Sequence, residues 1–130
     1  MKYSYTKKLD INFDQVVTKT KEELTKEGFG VLTEIDVKKT MKTKLGLDYD
    51  NYIILGACNP EFADKALQIE KEIGLLLPCN VIIYEKDISV FVSVILPTVA
   101  MNIVQNSTLN SIAVTVEEKL KKVIDELGSL

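Results

Sequence analysis

The chain contains no histidine and no arginine among its 130 residues. Without histidine, the commonest general base is missing, and with it the Ser-His-Asp constellation and every histidine-bearing metal motif. Most hydrolase chemistries are thereby excluded within one chain. All sixteen basic residues are lysines, so the planar fork that grips phosphates and guanine edges is also missing, and nucleic acid is not an expected partner. Cysteine is scarce, with two residues, Cys58 and Cys79. Behind the lysines of "MKYSYTKKLDINF" there is no apolar run of the secretory kind, so the expectation is a cytoplasmic protein with reduced thiols. A phosphate-cradling loop ending Gly-Lys-Ser/Thr is absent. Gly28-x-Gly30 follows a helix and opens a strand, the reverse of a dinucleotide fingerprint. No linker or charge block divides the chain, and its length is that of one domain spanning residues 1–130.

What is present is an ordinary soluble composition, 46% apolar and 27% charged with a net charge of -3. The longest apolar run, Ile88 to Val104, is too short to span a bilayer, is rich in valine and is cut by Pro97. It reads as a buried strand, Ser89 to Leu96, followed by a helix, and no membrane association is expected.

Strands and helices alternate along the chain. Tyr3, Tyr5 and Leu9 alternate with Lys2, Ser4, Thr6 and Lys8 in the period of a half-exposed strand. Asn12 caps a helix that Gly28 closes, with Phe13, Val16, Val17 and Leu24 on its apolar side. "FGVLTEIDV" is a second strand, with Phe29, Val31, Ile35 and Val37 on one side and Glu34 and Asp36 on the other. Asp36 caps a short helix carrying Val37, Met41 and Leu45, ended by Gly46. "YIILGAC" is apolar on both faces and belongs inside the sheet. Asn59 caps the next helix, Pro60 takes its first position, and Phe62, Ala66, Ile69 and Ile73 form its stripe up to Gly74. "NVIIYE" and "SVFVSVIL" are strands joined by a turn at Lys86-Asp87, and a long amphipathic helix from Leu109 to Leu127 ends the pattern. The expected fold is α+β: a two-layer sandwich with helices on one mixed, mainly antiparallel sheet, in the manner of ferredoxin-like split βαβ units.

Chemistry concentrates around the two cysteines. Cys58 ends the third strand just before a helix, where unpaired amides and the helix dipole favour a thiolate, so a modestly lowered pKa is expected. The structural alternative is a small buried hydrophobe, and the missing histidine weighs toward it. Cys79, behind Leu75, Leu76, Leu77 and Pro78, is expected to be a desolvated corner with a raised pKa. If the helix from Pro60 to Ile73 carries the chain back along the sheet, the two sulfurs stand far apart and no disulfide joins them. Asn59 and Asn80 offer amide donors and acceptors at chain reversals, and a two-cysteine metal site would need carboxylates such as Glu61 or Glu85 as further ligands.

The segments "TEIDVKKTMKTKLGL", "YIILGACNP" and "LLPCNVIIYE" together resemble the family catalogued as domain of unknown function 302, over roughly Phe29 to Pro97. The resemblance implies a compact α+β domain of bacteria and archaea with no established activity or cofactor. It also implies that Asn59-Pro60 and Leu77-Pro78 belong to recurrent motifs. Three functions remain open. The first is a non-enzymatic binding or accessory domain taking a small molecule or metal ion near Cys58, Asn59 and Glu61, acting as a homodimer. The second is a thiol-dependent enzyme or redox sensor on Cys58, and the third a purely structural interaction module. The first is the expectation carried forward.

Overall fold

Asn12 opens the first helix as its residue type foretells, its side chain accepting from the amides of Asp14 at 2.9 Å and Gln15 at 3.3 Å. Asp36 does the same for the amide of Lys39 at 3.0 Å, and Gly46, in the left-handed region at φ 68°, closes that second helix. These local signals set the element order in the computed structural model, which describes residues 2–128. The strands are β1 (Ser4–Leu9), β2 (Gly30–Asp36), β3 (Tyr52–Cys58), β4 (Cys79–Lys86) and β5 (Ser89–Ile95). The helices are α1 (Phe13–Lys26), α2 (Val37–Leu45), α3 (Pro60–Ile69), α4 (Pro97–Ala100) and α5 (Ser107–Glu126), with 3-10 turns at Lys71–Leu76 and Met101–Val104.

The five strands form one sheet in the order β1-β5-β4-β3-β2. A two-layer α+β sandwich is therefore the architecture. Its sheet is antiparallel at every pairing, which corrects the expected mixed sheet and its ferredoxin-like split units. The cause lies between β3 and β4. Glu70, with extended backbone at φ -144° and ψ 109°, ends α3 three residues before Ile73, and the following 3-10 turn brings the chain back to the end of the sheet it left. A segment read as one helix leading to a parallel strand is instead an out-and-back excursion, and Ile69, placed on the buried stripe by periodicity, is 37% exposed.

Alternation along the strands sorts side chains onto two faces. Leu9, Leu55, Val81, Ile83, Val90, Val92 and Val94 point to one of them and are all buried. There they meet Phe13, Val16 and Leu24 of α1 and Val116, Leu120, Val123 and Ile124 of α5 in one core. A smaller cluster joins Ala66, Ile73, Met101, Leu109 and Ala113.

β2 departs from its expected faces. A bulge between Val31 and Thr33 leaves Leu32 without a partner on β3. Val31 pairs with Ala57 on the helix side, but past the extra residue Ile35 pairs with Ile54 on the other side, and Glu34 faces the helices. Glu34 there meets Lys21 of α1 at 2.5 Å. The β4–β5 hairpin turns on Asp87 and Ile88, both at positive φ. Among the described residues, no helix is long and apolar enough to cross a membrane.

Candidate functional site

Antiparallel pairing of β3 with β4 puts Ala57 opposite Cys79, so two cysteines twenty-one positions apart in the chain become near neighbours in space. The expected separation fails because the chain returns to the strand end from which it departed. Both thiols are free. Together with Asn59, Phe62, Ala63 and Met101 they border an apolar slot between the ends of β3 and β4, α3 and α5, floored by Phe29, Ala113 and Val116. The room inside is about 30 Å³, enough for roughly two water-sized molecules.

Electrostatics in the slot runs against an activated thiol. Burial pushes the Cys58 thiol above its ordinary value, which corrects the expected lowering, because desolvation outweighs the nearby helix end. Cys79, more deeply buried and also close to Cys58, is pushed up to about 11. Both sulfurs hold their protons at neutral pH. The sequence expectation for Cys79 matches that direction.

Asn59 stands at the N-terminus of α3, yet its side chain makes no cap hydrogen bond there. It donates instead from Nδ2 to the carbonyl of Glu27 at 3.3 Å, tying the start of α3 to the loop that ends α1. Gly28 next to that loop, at φ 86°, leaves room for the amide, since a Cβ at Gly28 would come within 3.1 Å of Nδ2. Glu61 is not part of the slot. Its carboxylate is 74% exposed and lies 3.6 Å from Lys65 one helical turn on, as an i,i+4 pair normally does. Asn80 is exposed on β4. Among the described residues, no group of three or more cysteine, aspartate or glutamate side chains is set to hold a metal ion.

Met101 was missed in the sequence reading. It is the third sulfur-bearing residue bordering the slot, and it is buried. The only sequence signal for it is its place just after a proline-started helical turn, which says nothing about proximity to residues forty positions earlier. Pro78 and Gly56 also shape this end of the sheet. A Cβ at Gly56 would stand 2.2 Å from Thr33 Oγ1 and 2.8 Å from the Pro78 ring, so only glycine lets these two pack across β3.

The sequence profile of the family described as "Domain of unknown function DUF302" matches residues 5–127. Among solved structures, the fold is similar to the crystal structure of an uncharacterized conserved DUF302 protein from Bacillus stearothermophilus. That likeness has a TM-score of 0.90 at 28% identity, over 96% of this chain and 98% of the other. No curated protein matches.

Proposed function

The chain belongs to the DUF302 family, and from the slot at its strand ends we propose a non-enzymatic binding or accessory protein, acting as a homodimer, that takes a small ligand or a single metal ion. The observation that carries this reading is the convergence of Cys58 and Asn59 with Cys79 and Met101 on one apolar slot. Its volume of about 30 Å³ suits one ion or a very small molecule and excludes a nucleotide or sugar, whose sites run to roughly 300 Å³ and more. Two thiols and a thioether favour soft cations over magnesium or calcium. Binding of such a cation displaces the thiol protons, so its affinity rises with pH. Glu61 contributes no ligand in this reading, and Asn59 acts as the brace that holds the slot's mouth to the end of α1.

The raised thiol pKa values support binding over a thiol-dependent enzyme, which requires a thiolate at neutral pH. The test is a thermal-shift titration of reduced protein with copper(I), zinc and a panel of small metabolites. A ligand at one hundred times its dissociation constant stabilises the native state by about 2.7 kcal/mol, and Cys58→Ala or Cys79→Ala removes that shift. A complete absence of shifts, or shifts that both variants retain, overturns the reading.

A further inference from the structure

The sheet face turned away from α1 and α5 is the one that carries the aromatic side chains. Tyr52, Tyr84 and Phe91 stand side by side on β3, β4 and β5, with ring centroids 5.5 and 5.2 Å apart and planes within 18° and 15° of parallel. Ile54 and Ile82 pair in the next row. All five are only half-buried. The bulge in β2 adds Ile35, 47% exposed, to the same face.

A helix of the same chain has the complementary deficit. Val37, Met41 and Leu45 repeat every fourth residue along α2, the pattern of a buried stripe, yet α2 packs beside β2 and β3 and buries none of its residues. Leu45 is 65% exposed, and Leu47 and Tyr49 just beyond it are 47% and 43% exposed. Helix α2, which buries none of its residues, follows β2 directly, and its exposed apolar groups and those of the sheet face turned away from α1 and α5 are taken together as one surface.

We propose that a second copy of this chain covers this surface, in a two-fold homodimer whose interface is the open sheet face together with α2. The proposal rests on the homodimer reading above and names its surface. Two features select a second copy. The middle of the sheet part is apolar, serine and threonine side chains, with Lys8, Asn80 and Lys86 towards its edges and Lys38 and Lys44 beside the apolar stripe of α2, so the apolar middle is matched by a second copy of itself. Its size is also sufficient: five strands of about six residues span roughly 20 by 20 Å, and α2 adds about 14 Å of helix. Two copies then bury on the order of 1,000 Å² together, the size at which an interface between copies separates from casual contact.

Light scattering on reduced protein over a dilution series is the experiment, with Ile35→Lys and Leu45→Lys as interface variants and Leu75→Lys, at a position 83% exposed outside this surface, as control. The expected result is twice 14.6 kDa for the wild type and the control, and a dissociation constant raised about a hundredfold in each interface variant. A monomeric wild type overturns the homodimer reading and the surface together. A dimeric wild type whose two interface variants dimerise equally well overturns the surface alone. Slot binding, read by thermal shift, is separate from both. If a variant fails to fold, acrylamide quenching of wild-type tyrosine emission decides. Quenching that rises at least twofold as the dimer dissociates supports the interface, and quenching unchanged by dissociation overturns it.

Discussion

The roofed face and the bare face of this sheet are built from the same strands, one residue apart, and they solve different problems. On the roofed face the side chains are aliphatic and interdigitate with α1 and α5 to near-zero exposure: Leu55, Val81, Ile83 and Val92 each stand at 0%. Facing the other way, Tyr52, Tyr84 and Phe91 stack on each other rather than into a core, and Ser93 is bonded at 2.7 Å to Thr6 of the neighbouring strand. Packing against helices demands exact volumes, so it selects branched aliphatic groups. A surface that solvent reaches selects rings, which stack laterally and offer a polar edge.

The sharpest way to break this comparison is a pair of adjacent truncations. Leu55→Ala on the roofed face leaves a cavity under α1 and α5, and is expected to cost about 3 kcal/mol. Ile54→Ala on the bare face is expected to cost about 1 kcal/mol at concentrations where the chain is monomeric, since solvent already reaches that side chain. Urea denaturation at low concentration measures both, and equal costs would erase the distinction between the faces.

A second contrast concerns pH. Cys79 points to the roofed face, with a native pKa of about 11 against 9.0 unfolded. The unfolded chain loses that proton first as pH rises, so the associated stability is fully present below about pH 9 and is lost toward pH 11. The loss amounts to roughly 2–3 kcal/mol. Comparing the pH dependence of wild type with Cys79→Ala isolates it from lysine and tyrosine titration. Cys58, shallower in the slot, contributes in the same direction and less.

Gly56→Ala tests the bare face at its tightest point. The added methyl meets Thr33 Oγ1 and the Pro78 ring, and is expected to cost about 2 kcal/mol by overpacking. Adding Thr33→Ala, which removes the nearer obstacle, is expected to recover about half of it in a double-mutant cycle by denaturant melts. The smallest effect belongs to the hairpin where both faces end. Ile88 is 100% exposed at φ 65°, a region that is costly for a β-branched residue, so Ile88→Gly is expected to stabilise by about 1 kcal/mol. An unchanged or lower melting temperature would contradict this.

These contrasts were unevenly legible in the sequence. Caps were readable because a cap is a local bargain between a side chain and amides two or three residues on, and Asn12 and Asp36 behave accordingly. The buried stripe of α5 was readable because six apolar positions, Leu109, Ala113, Val116, Leu120, Val123 and Ile124, repeat the helical period. The bulge at Leu32 was not, since one inserted residue leaves the composition of β2 unchanged while reversing the face of everything after it. The split of α3 from its 3-10 continuation was hidden for a similar reason: the apolar period runs through Glu70 undisturbed. From that one break followed the misjudged distance between Cys58 and Cys79, and with it the slot. Sites made by strand pairing are invisible to any reading that proceeds along the chain. Asn59 shows the limit in miniature, as it holds the cap position and spends its amide on Glu27 instead.

The first and last elements of this fold are laced together. Tyr5 donates to Asp125 at 2.6 Å, Lys7 donates to the carbonyls of Asp125 and Leu127, and β1 takes its place at the sheet edge by pairing with β5. On a ribosome this means that β1 emerges long before anything it can pair with. Thr6 and its partner Ser93 are 87 positions apart, which at roughly 5–20 residues per second leaves a solitary strand waiting for many seconds. Lys2, Lys7 and Lys8 then have a second use during synthesis, as like charges that keep one nascent β1 from adding to another.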